Sequence, residues 1–273
     1  MITDAMSAAF EVGSTGGNGG NADTEGCYPS YGGSTGLVTV TNLGGISTTG
    51  DGSSAITLQS VDGAGGNAGH AALLTAPGGR GGNSGRVQRH NTGTISTRGD
   101  YSFDVMDQSV SGAGGTGIFV SGANGGDTGL AGPVSVTQDG TIETRGKGST
   151  AILAQSVGGA HALDAFQATA PTIYGGGGKS SIFFRNSGGS VLVTNTKSIS
   201  TLGDEAQGVL APSFLDGFRG DIHVLSHSGW ASPGAFSRAV SYGDQPAGLG
   251  HASGTGIHAG CGAEPFAGVR GEI

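Results

Sequence analysis

The chain has 273 residues, of which 59 are glycine and only 6% are aromatic, and its formal net charge is −8. So few large side chains exclude a thick, varied hydrophobic core, but they suffice for a narrow core that repeats along the chain. Charged residues make up only 12%. Because the balance is acidic, the basic footprint of nucleic-acid-binding proteins is absent, and no nucleic-acid partner is predicted.

Residues 1–37 are predicted to hold the end of a preceding repeat, around Val12, followed by a glycine-rich spacer. Residues 1–10 lack the basic and continuous apolar regions of a signal peptide. No stretch of the chain approaches the roughly 20 apolar residues of a membrane helix. The last three residues are not typical of a barrel strand, so export signals are expected to be missing from this chain, as in a fragment or a mis-started reading frame.

A 24-residue pattern then occurs five times, and we call each copy a cassette: residues 38–61, 87–110, 134–157, 191–214 and 222–245. The copies align without gaps on one anchor position, occupied by Ile46, Ile95, Ile142, Ile199 and Trp230. Valine or isoleucine recurs eight residues before the anchor, mostly six before it and again ten after it, with Arg89 as the exception. Constant cassettes with variable spacers indicate stacked repeats, and residues 38–245 are predicted to be a β-solenoid.

Each cassette predicts three short β-strands joined by bends. Its first half alternates β-branched and small polar residues, which is the pattern of a half-buried strand. Gly50 and Asp51 are typical of the turn that follows, where glycine is expected to supply a positive φ and aspartate a local backbone hydrogen bond. A further strand surrounds Ile56. We therefore predict an all-β parallel β-helix in which equivalent residues stack about 4.8 Å apart.

Two columns of amide side chains are predicted to support the stacking. The first contains Asn42, Asn91, Gln138 and Asn195, and the second contains Gln59, Gln108 and Gln155 and ends at Pro212. Side-chain amides can bond to the equivalent amide one coil away. Each such bond contributes about 0.5–1.5 kcal/mol, so a stacking role is favoured over a ligand role.

Glycine-rich spacers separate the cassettes and occupy residues 62–86, 111–133, 158–190 and 215–221. The first two are dominated by glycine, asparagine, alanine and serine, and cannot bury enough apolar surface to fold as independent domains. They are expected to project from one corner of successive coils and to form one irregular face. Residues 160–170 are the only alanine-rich segment with helical character, and residues 246–273 are predicted to be an irregular glycine-rich tail.

Two Arg-Gly-Asp tripeptides are the candidate binding motifs of the chain: Arg98, Gly99 and Asp100, and Arg219, Gly220 and Asp221. Integrins recognise this tripeptide through a metal-bound carboxylate and an arginine pocket. The first tripeptide coincides with the cassette turn, so a structural role competes with integrin-type binding. The second lies in a short spacer, where exposure is expected.

The other motif matches are explained by the glycine content. Residues 112–117 match the dinucleotide fingerprint, but no helix follows them. Residues 178–180 resemble the end of a phosphate-binding loop whose first glycine is replaced by Ile173. Residues 32–36 fit the nucleophile-elbow pattern without an assignable histidine and acid. No catalytic or cofactor-binding residue is therefore assigned, and no cofactor is predicted.

Metal sites and disulfides are not predicted either. The candidate histidines are expected to be exposed rather than metal ligands: His223, His227, His251 and His258. The repeated aspartates lack the spacing of a calcium-binding roll: Asp51, Asp100 and Asp204. Cys27 and Cys261 are too few for a disulfide scaffold and are expected to be unpaired or incidental.

The third cassette carries a family resemblance. Residues 134–159 follow the pattern Val-Ser-Val-Thr-x-x-Gly-x-Ile-x-Thr-x-Gly-x-x-Ser-x-Ala-Ile-x-Ala-Gln-Ser-Val-Gly-Gly, with a glycine-rich spacer behind it. This cassette resembles the repeats of autotransporter passenger domains, large surface or secreted proteins of Gram-negative bacteria, over roughly residues 1–245. The resemblance implies a right-handed β-helix outside the outer membrane, often an adhesin. It also implies a translocator barrel in the full-length parent.

We therefore expect a non-catalytic passenger-type segment at the cell surface, in the outer membrane or outside the cell. Its role would be adhesion or cell–cell contact, with a host or neighbouring-cell surface protein or glycan as partner. One alternative is an enzyme on the same scaffold, such as a polysaccharide lyase or a passenger protease, which needs clustered acids, basic groups or a triad on one face. Another is a glycine-rich cell-wall protein of the PGRS type, in which the glycine-rich runs themselves form the fold.

Overall fold

The computed structural model describes residues 8–22, 28–67, 78–115, 126–158, 186–204, 206–214, 217–218, 222–226, 236–242, 251–253 and 257–261. Within these ranges the chain is all-β and contains no helix. The strands, in chain order, are β1 (Ala8–Thr15), β2 (Val38–Asn42), β3 (Ile46–Thr48), β4 (Ser54–Val61), β5 (Val87–Asn91), β6 (Ile95–Thr97), β7 (Phe103–Val110), β8 (Val134–Gln138), β9 (Ile142–Thr144), β10 (Thr150–Val157), β11 (Asn186–Ser187), β12 (Val191–Asn195), β13 (Ile199–Thr201), β14 (Gln207–Phe214), β15 (Gly217–Phe218), β16 (Ile222–Ser226), β17 (Phe236–Tyr242), β18 (His251–Ser253) and β19 (Ile257–Cys261).

Three large parallel sheets contain nearly all of these strands, and the first four cassettes visit them in the same order. The first strands form a sheet in the order β18-β16-β12-β8-β5-β2, and the second strands form the sheet β13-β9-β6-β3. The third strands form the sheet β1-β4-β7-β10-β14-β17-β19. Ile95 pairs with Ile46 on one side and with Ile142 on the other. The predicted alignment of equivalent positions is thus confirmed for these cassettes.

A slender aliphatic core lies between the three sheets. The first strands contribute valine and isoleucine side chains that are at most 4% exposed: Val38, Val87, Val134, Val191 and Ile222. The third strands contribute a column that is at most 1% exposed: Ile56, Val105, Ile152 and Val209. Ala55 and Leu58 join the same cluster, which shows which side chains of β4 face the interior. Each cassette therefore adds only a few aliphatic groups to a core shared with its neighbours.

The turn after each second strand differs from its predicted geometry. The positive φ angles belong to Gly52 (65°), Tyr101 (53°) and Gly148 (62°), two residues after the glycine that was expected to adopt one. Gly99 is required for another reason, because a Cβ atom there would overlap the carbonyl oxygen of Gly50. The aspartate bond also runs between cassettes: the Oδ1 atom of Asp51 accepts a hydrogen bond from the amide of Asp100 at 2.9 Å.

The last cassette departs from the gap-free alignment. That alignment places Val240 beside Val209, whereas the structure pairs Val240 with Pro212, after a register shift in β14. The strands also continue past residue 245, because β18 pairs with β16 and β19 pairs with β17. The predicted irregular tail therefore contains two strands that extend two of the sheets.

The glycine-rich spacers form ordered arms where the structure describes them, so the expectation of an irregular face is wrong there. We call residues 16–22, 62–67 and 111–115 the outgoing arms, because they leave a third strand, and residues 28–37, 78–86 and 126–133 the return arms, because they lead into a first strand. Arms of the same kind bond to each other at every third residue, as in Gly32 to Arg80 and Thr35 to Asn83 (amide to carbonyl). A three-residue period is that of an extended helix of the polyproline II type.

Outgoing and return arms also alternate side by side. The amide of Gly112 donates to the carbonyl of Gly82, and the amide of Gly129 donates to the carbonyl of Gly112. Backbones approach so closely that a Cβ atom on Gly81 would overlap the carbonyl oxygen of Gly112. Most of the other arm glycines are crowded in the same way, as at the glycine positions of collagen, although Gly17 and Gly36 have no atom within 4 Å of an added Cβ. Every third position of the return arms is exposed or half-exposed and carries side chains of all sizes.

Candidate functional site

The return arms present one continuous exposed face, which we call the return-arm face. It is built from the third positions of each arm, and these positions lie in rows because the arms are in register. One row contains Tyr31, Arg80 and Asp127, the next contains Ser34, Asn83 and Leu130, and the last contains Leu37, Arg86 and Pro133. Tyr28 precedes Tyr31 by one three-residue period and therefore lies on the same side of its arm.

Large side chains on this face are strongly exposed. Tyr28 is 76% exposed, Tyr31 75%, Leu37 63% and Leu130 40%. The backbone beneath Tyr31 is held on three sides, because the amide of Gly32 donates to Arg80, that of Gly33 donates to Gly17, and the carbonyl of Ser30 accepts from Gly66. The side chains are therefore displayed from a fixed backbone.

Asparagine and serine on this face complete the hydrogen bonding of the arms. The Ser34 hydroxyl oxygen accepts from the amide of Asn83 at 3.0 Å, and the Oδ1 atom of Asn83 accepts from the amide of Leu130 at 2.8 Å. Outgoing arms repeat the arrangement, with Oδ1 of Asn18 accepting from the amide of Ala64 at 2.9 Å. Each side chain thus satisfies the outward amide of the next arm with its acceptor. Among the described residues, none accepts a hydrogen bond from the donor groups of these side chains.

A column of serines in the third strands forms hydrogen bonds with the return arms. The Ser109 hydroxyl donates to the carbonyl of Gly85 at 3.0 Å, and the Ser156 hydroxyl donates to the carbonyl of Gly132 at 2.9 Å. Ser60 performs the same role in reverse by accepting from the amide of Gly85 at 2.9 Å. The return-arm face is consequently coupled to the third strands of the first three cassettes.

A second polar site lies inside the core, at the second cassette. Arg89 replaces the valine of its column, and its Nε atom lies 2.9 Å from Oδ2 of Asp107, with both side chains fully buried. The Nη1 atom of Arg89 donates to Oε1 of Gln138 at 2.9 Å. Asp107 stands where the first cassette has Leu58, and Gln138 is the one glutamine in its asparagine column. Three exceptions to the repeat therefore contact one another.

Asp104 adds a second buried carboxyl group to this site. It occupies the column of Ala55 and Ala151 and has no exposed surface. Burial raises its pKa well above the ordinary range, although the nearby Thr97 hydroxyl opposes the shift. Burial also raises the pKa of Asp107, although the adjacent Arg89 guanidinium opposes the shift. Because these groups are enclosed, they have no access to an external substrate.

The second predicted amide column is present, and the first is formed only between Asn42 and Asn91. Gln59 donates to Gln108 and Gln108 donates to Gln155, each over 3.0 Å between Nε2 and Oε1. The series ends there because the register of β10 and β14 places Pro212, which has no side-chain amide, opposite Gln155. In the first column Nδ2 of Asn42 donates to Oδ1 of Asn91 at 2.6 Å. The next member, Gln138, bonds to Arg89 instead, and these amides also donate to their own bend, as Gln138 does to Gly140 at 2.9 Å.

The first Arg-Gly-Asp tripeptide lies in a stacked turn. Arg98 and Asp100 are exposed, while Gly99 is buried between the equivalent turns of its neighbours. The Oδ1 atom of Asp100 accepts from the amide of Lys147 at 2.8 Å, so one carboxylate oxygen is already engaged. The structure does not test integrin-type binding, which stays a prediction. Residues 219–221, the second tripeptide, lie outside the described residues.

The remaining candidate residues are only partly described. His223 is exposed, as predicted, and its Cα position pairs with that of His251. Cys261 lies in β19, whereas His227 and Cys27 fall outside the described residues. In the part of the chain that is described, no three histidine, cysteine or acidic side chains converge as metal ligands would. The same part offers no helical segment with the length and hydropathy of a membrane span.

Comparisons of the chain with protein-family models, with curated proteins and with solved structures gave no match.

Proposed function

We propose that the three parallel sheets wrap one right-handed parallel β-helix, and that the chain is a non-catalytic passenger-type segment for adhesion or cell–cell contact. The order in which successive cassettes visit the sheets supports the β-helix. Crossovers between parallel strands of one sheet are right-handed in almost all proteins, which supports the hand. On this proposal the glycine-rich arms project from one corner of the β-helix.

The observation that carries the adhesive role is the return-arm face. Its backbone is fixed by hydrogen bonds to neighbouring arms, and its variable side chains stand in rows along the repeat. A fixed surface loses little conformational entropy when it binds. Contacts that are weak singly become strong together when they repeat along one rigid support.

The proposed setting follows from the cassette pattern of residues 134–159 and its resemblance to autotransporter passengers. The chain would act at the cell surface, in the outer membrane or outside the cell. Its partner would be a host or neighbouring-cell surface protein or glycan, and a translocator barrel would belong to the full-length parent. The enclosure of Arg89, Asp104 and Asp107 supports a non-catalytic role, because the most perturbed acids described are out of reach of substrate.

Bead attachment tests this proposal. Fluorescent beads coated with the purified chain are expected to attach to bacterial or epithelial cell layers, or to one another, more than beads coated with an acidic protein of similar size. Beads that carry Gly81→Ala with Gly129→Ala, which disrupts the packing of the arms, should attach less. Attachment no greater than that of the acidic control would refute adhesion. Turnover of pectin-like or peptide substrates would instead favour the enzyme alternative.

A further inference from the structure

We propose that the return-arm face binds an anionic polysaccharide, with Tyr28 and Tyr31 stacking on sugar rings and with Arg80 and Arg86 pairing with sulfate or carboxylate groups. This inference deepens the proposed adhesive role and rests on it for its biological setting. The binding itself depends only on the residues of the face.

The donor and acceptor balance of the face is the first support. The oxygen atoms of Ser34 and Asn83 each accept an amide of the next arm, whereas their exposed donor groups have no partner among the described residues. Arg80 and Arg86 flank Asn83 on the same arm and offer only donors. A surface that mainly donates hydrogen bonds fits a ligand rich in acceptor oxygens, and charged acceptors give the stronger bonds.

Charge distribution is the second support. The whole chain carries a net charge of −8, which repels polyanions in general. On the return-arm face, however, the exposed Arg80 and Arg86 are accompanied by one half-exposed acid, Asp127. A local excess of guanidinium groups therefore stands out from an acidic background. Guanidinium groups match sulfate and carboxylate geometry better than ammonium groups do.

The aromatic pair is the third support. Tyr28 and Tyr31 are three residues apart on an arm with a three-residue period, so their rings lie on one side at a spacing of about 9 Å. That spacing is close to the length of a disaccharide, so that alternate rings of an extended polysaccharide can meet successive tyrosines. Tyrosine offers a large apolar ring and a polar hydroxyl, and loses little rotamer entropy when it binds.

Binding to dextran sulfate, with uncharged dextran as the comparison, tests the proposal by biolayer interferometry. The full chain is expected to bind dextran sulfate, and to bind dextran at least about tenfold less tightly. Its affinity for dextran sulfate should fall with added salt, because the contacts are ionic. Arg80→Ser with Arg86→Ser should lower the affinity about tenfold or more, since two charge-assisted contacts are lost. Arg98→Ser with Arg145→Ser makes the same charge change elsewhere and should alter it less than about twofold.

Tyr28→Ser with Tyr31→Ser should lower the affinity about fivefold, whereas Leu202→Ser, at an exposed turn, should not. Circular dichroism checks that each variant folds. Should Arg80→Ser with Arg86→Ser fail to fold, Arg80→Lys with Arg86→Lys replaces it and should retain salt-sensitive but weaker binding. Equal binding to both dextrans, salt-insensitive binding, equal losses from the two arginine pairs, or no binding would each overturn the proposal. If wild-type beads attach to cells and beads that carry the arginine or tyrosine variants attach equally well, the proposed adhesive function stands and the return-arm face is rejected as its binding surface.

Discussion

Replacement of the buried ion pair by an aliphatic pair tests how the core is built. Arg89 and Asp107 have no exposed surface, and the first cassette has Val40 and Leu58 in their places. In Arg89→Val, Asp107 stays buried without its cation, so the free energy of unfolding should fall by about 3–5 kcal/mol. Asp107→Leu leaves the guanidinium buried with only Gln138 and should lose a similar amount.

The double variant should behave differently, because a buried ion pair is often replaced by apolar residues without loss, or with a gain of about 1–4 kcal/mol. One cost remains, since the Gln138 oxygen loses its donor, and this amounts to about 1–3 kcal/mol. We therefore expect the double variant within about 2 kcal/mol of the wild type. Adding Gln138→Asn, the residue of the other columns, should recover part of that cost.

Urea unfolding followed by far-ultraviolet circular dichroism measures the wild type and all four variants, and the slopes of the transitions verify that the same structure unfolds. The coupling energy from the double-mutant cycle should be about 4 kcal/mol or more, because the two single losses largely cancel in the double variant. Arg98→Val is the matched control, since this arginine is exposed, and should change stability by less than about 0.5 kcal/mol. A double variant that loses the sum of the two single losses would refute the reasoning.

Acidification from pH 7 towards pH 5 should raise the melting temperature, because burial raises the pKa of Asp104 and the cost of its ionisation disappears as pH falls towards the unfolded value of 3.8. Asp104→Ala, which introduces the alanine of the neighbouring cassettes, should be more stable than the wild type at pH 7, and its melting temperature should depend less on pH. An unchanged dependence of the melting temperature on pH would reject Asp104 as its source. Gly81→Ala should lower the free energy of unfolding by about 1–3 kcal/mol through overpacking. Gly36→Ala has no atom within 4 Å of the added carbon and should change it by less than about 0.5 kcal/mol. Thermal unfolding compares the two variants, and equal losses would contradict the packing of the arms. Gln108→Leu should cost about 1–3 kcal/mol in urea unfolding, because it leaves the amides on both sides unpaired, and a neutral result would mean that solvent replaces those bonds.

The columns of the cassettes were predictable because a parallel pairing register repeats the same side chain at the same place. Valine and isoleucine spacing identified the buried rows, and the amide columns followed from it, down to their end at Pro212. The register of the last cassette was not predictable in this way. With Trp230 in place of isoleucine, its third strand follows no anchor pattern, and pairing with β14 shifts it against the alignment.

The order of the arms was missed because glycine-rich sequence lacks the apolar periodicity that marks strands and helices. A signal was nevertheless present. Residues 16–21 and 78–83 each contain two Gly-Gly-x triplets with asparagine or arginine in the third place. Triplets of this kind match a three-residue helix in which close backbone approach favours glycine at two positions, whereas collagen requires glycine at one. The choice of asparagine follows from its Oδ1 atom, which accepts the outward amide of the next arm.

Departures from the repeat therefore have two physical meanings in this chain. At inward positions the charged departure Arg89 is accompanied by departures at its neighbours, because an unpaired charge in a dry core is costly. At Asp104 burial instead raises the pKa of the carboxyl group, which favours its neutral form. Arg89, Asp107 and Gln138 come from three different strands and two cassettes, yet each is an exception and all three meet. Most third positions of the return arms face solvent, so their side chains can change without a partner unless, like Ser34 and Asn83, they accept an amide of the next arm. On the proposed function, changes that adjust binding would lie on the return-arm face, above a backbone whose hydrogen bonds repeat from arm to arm.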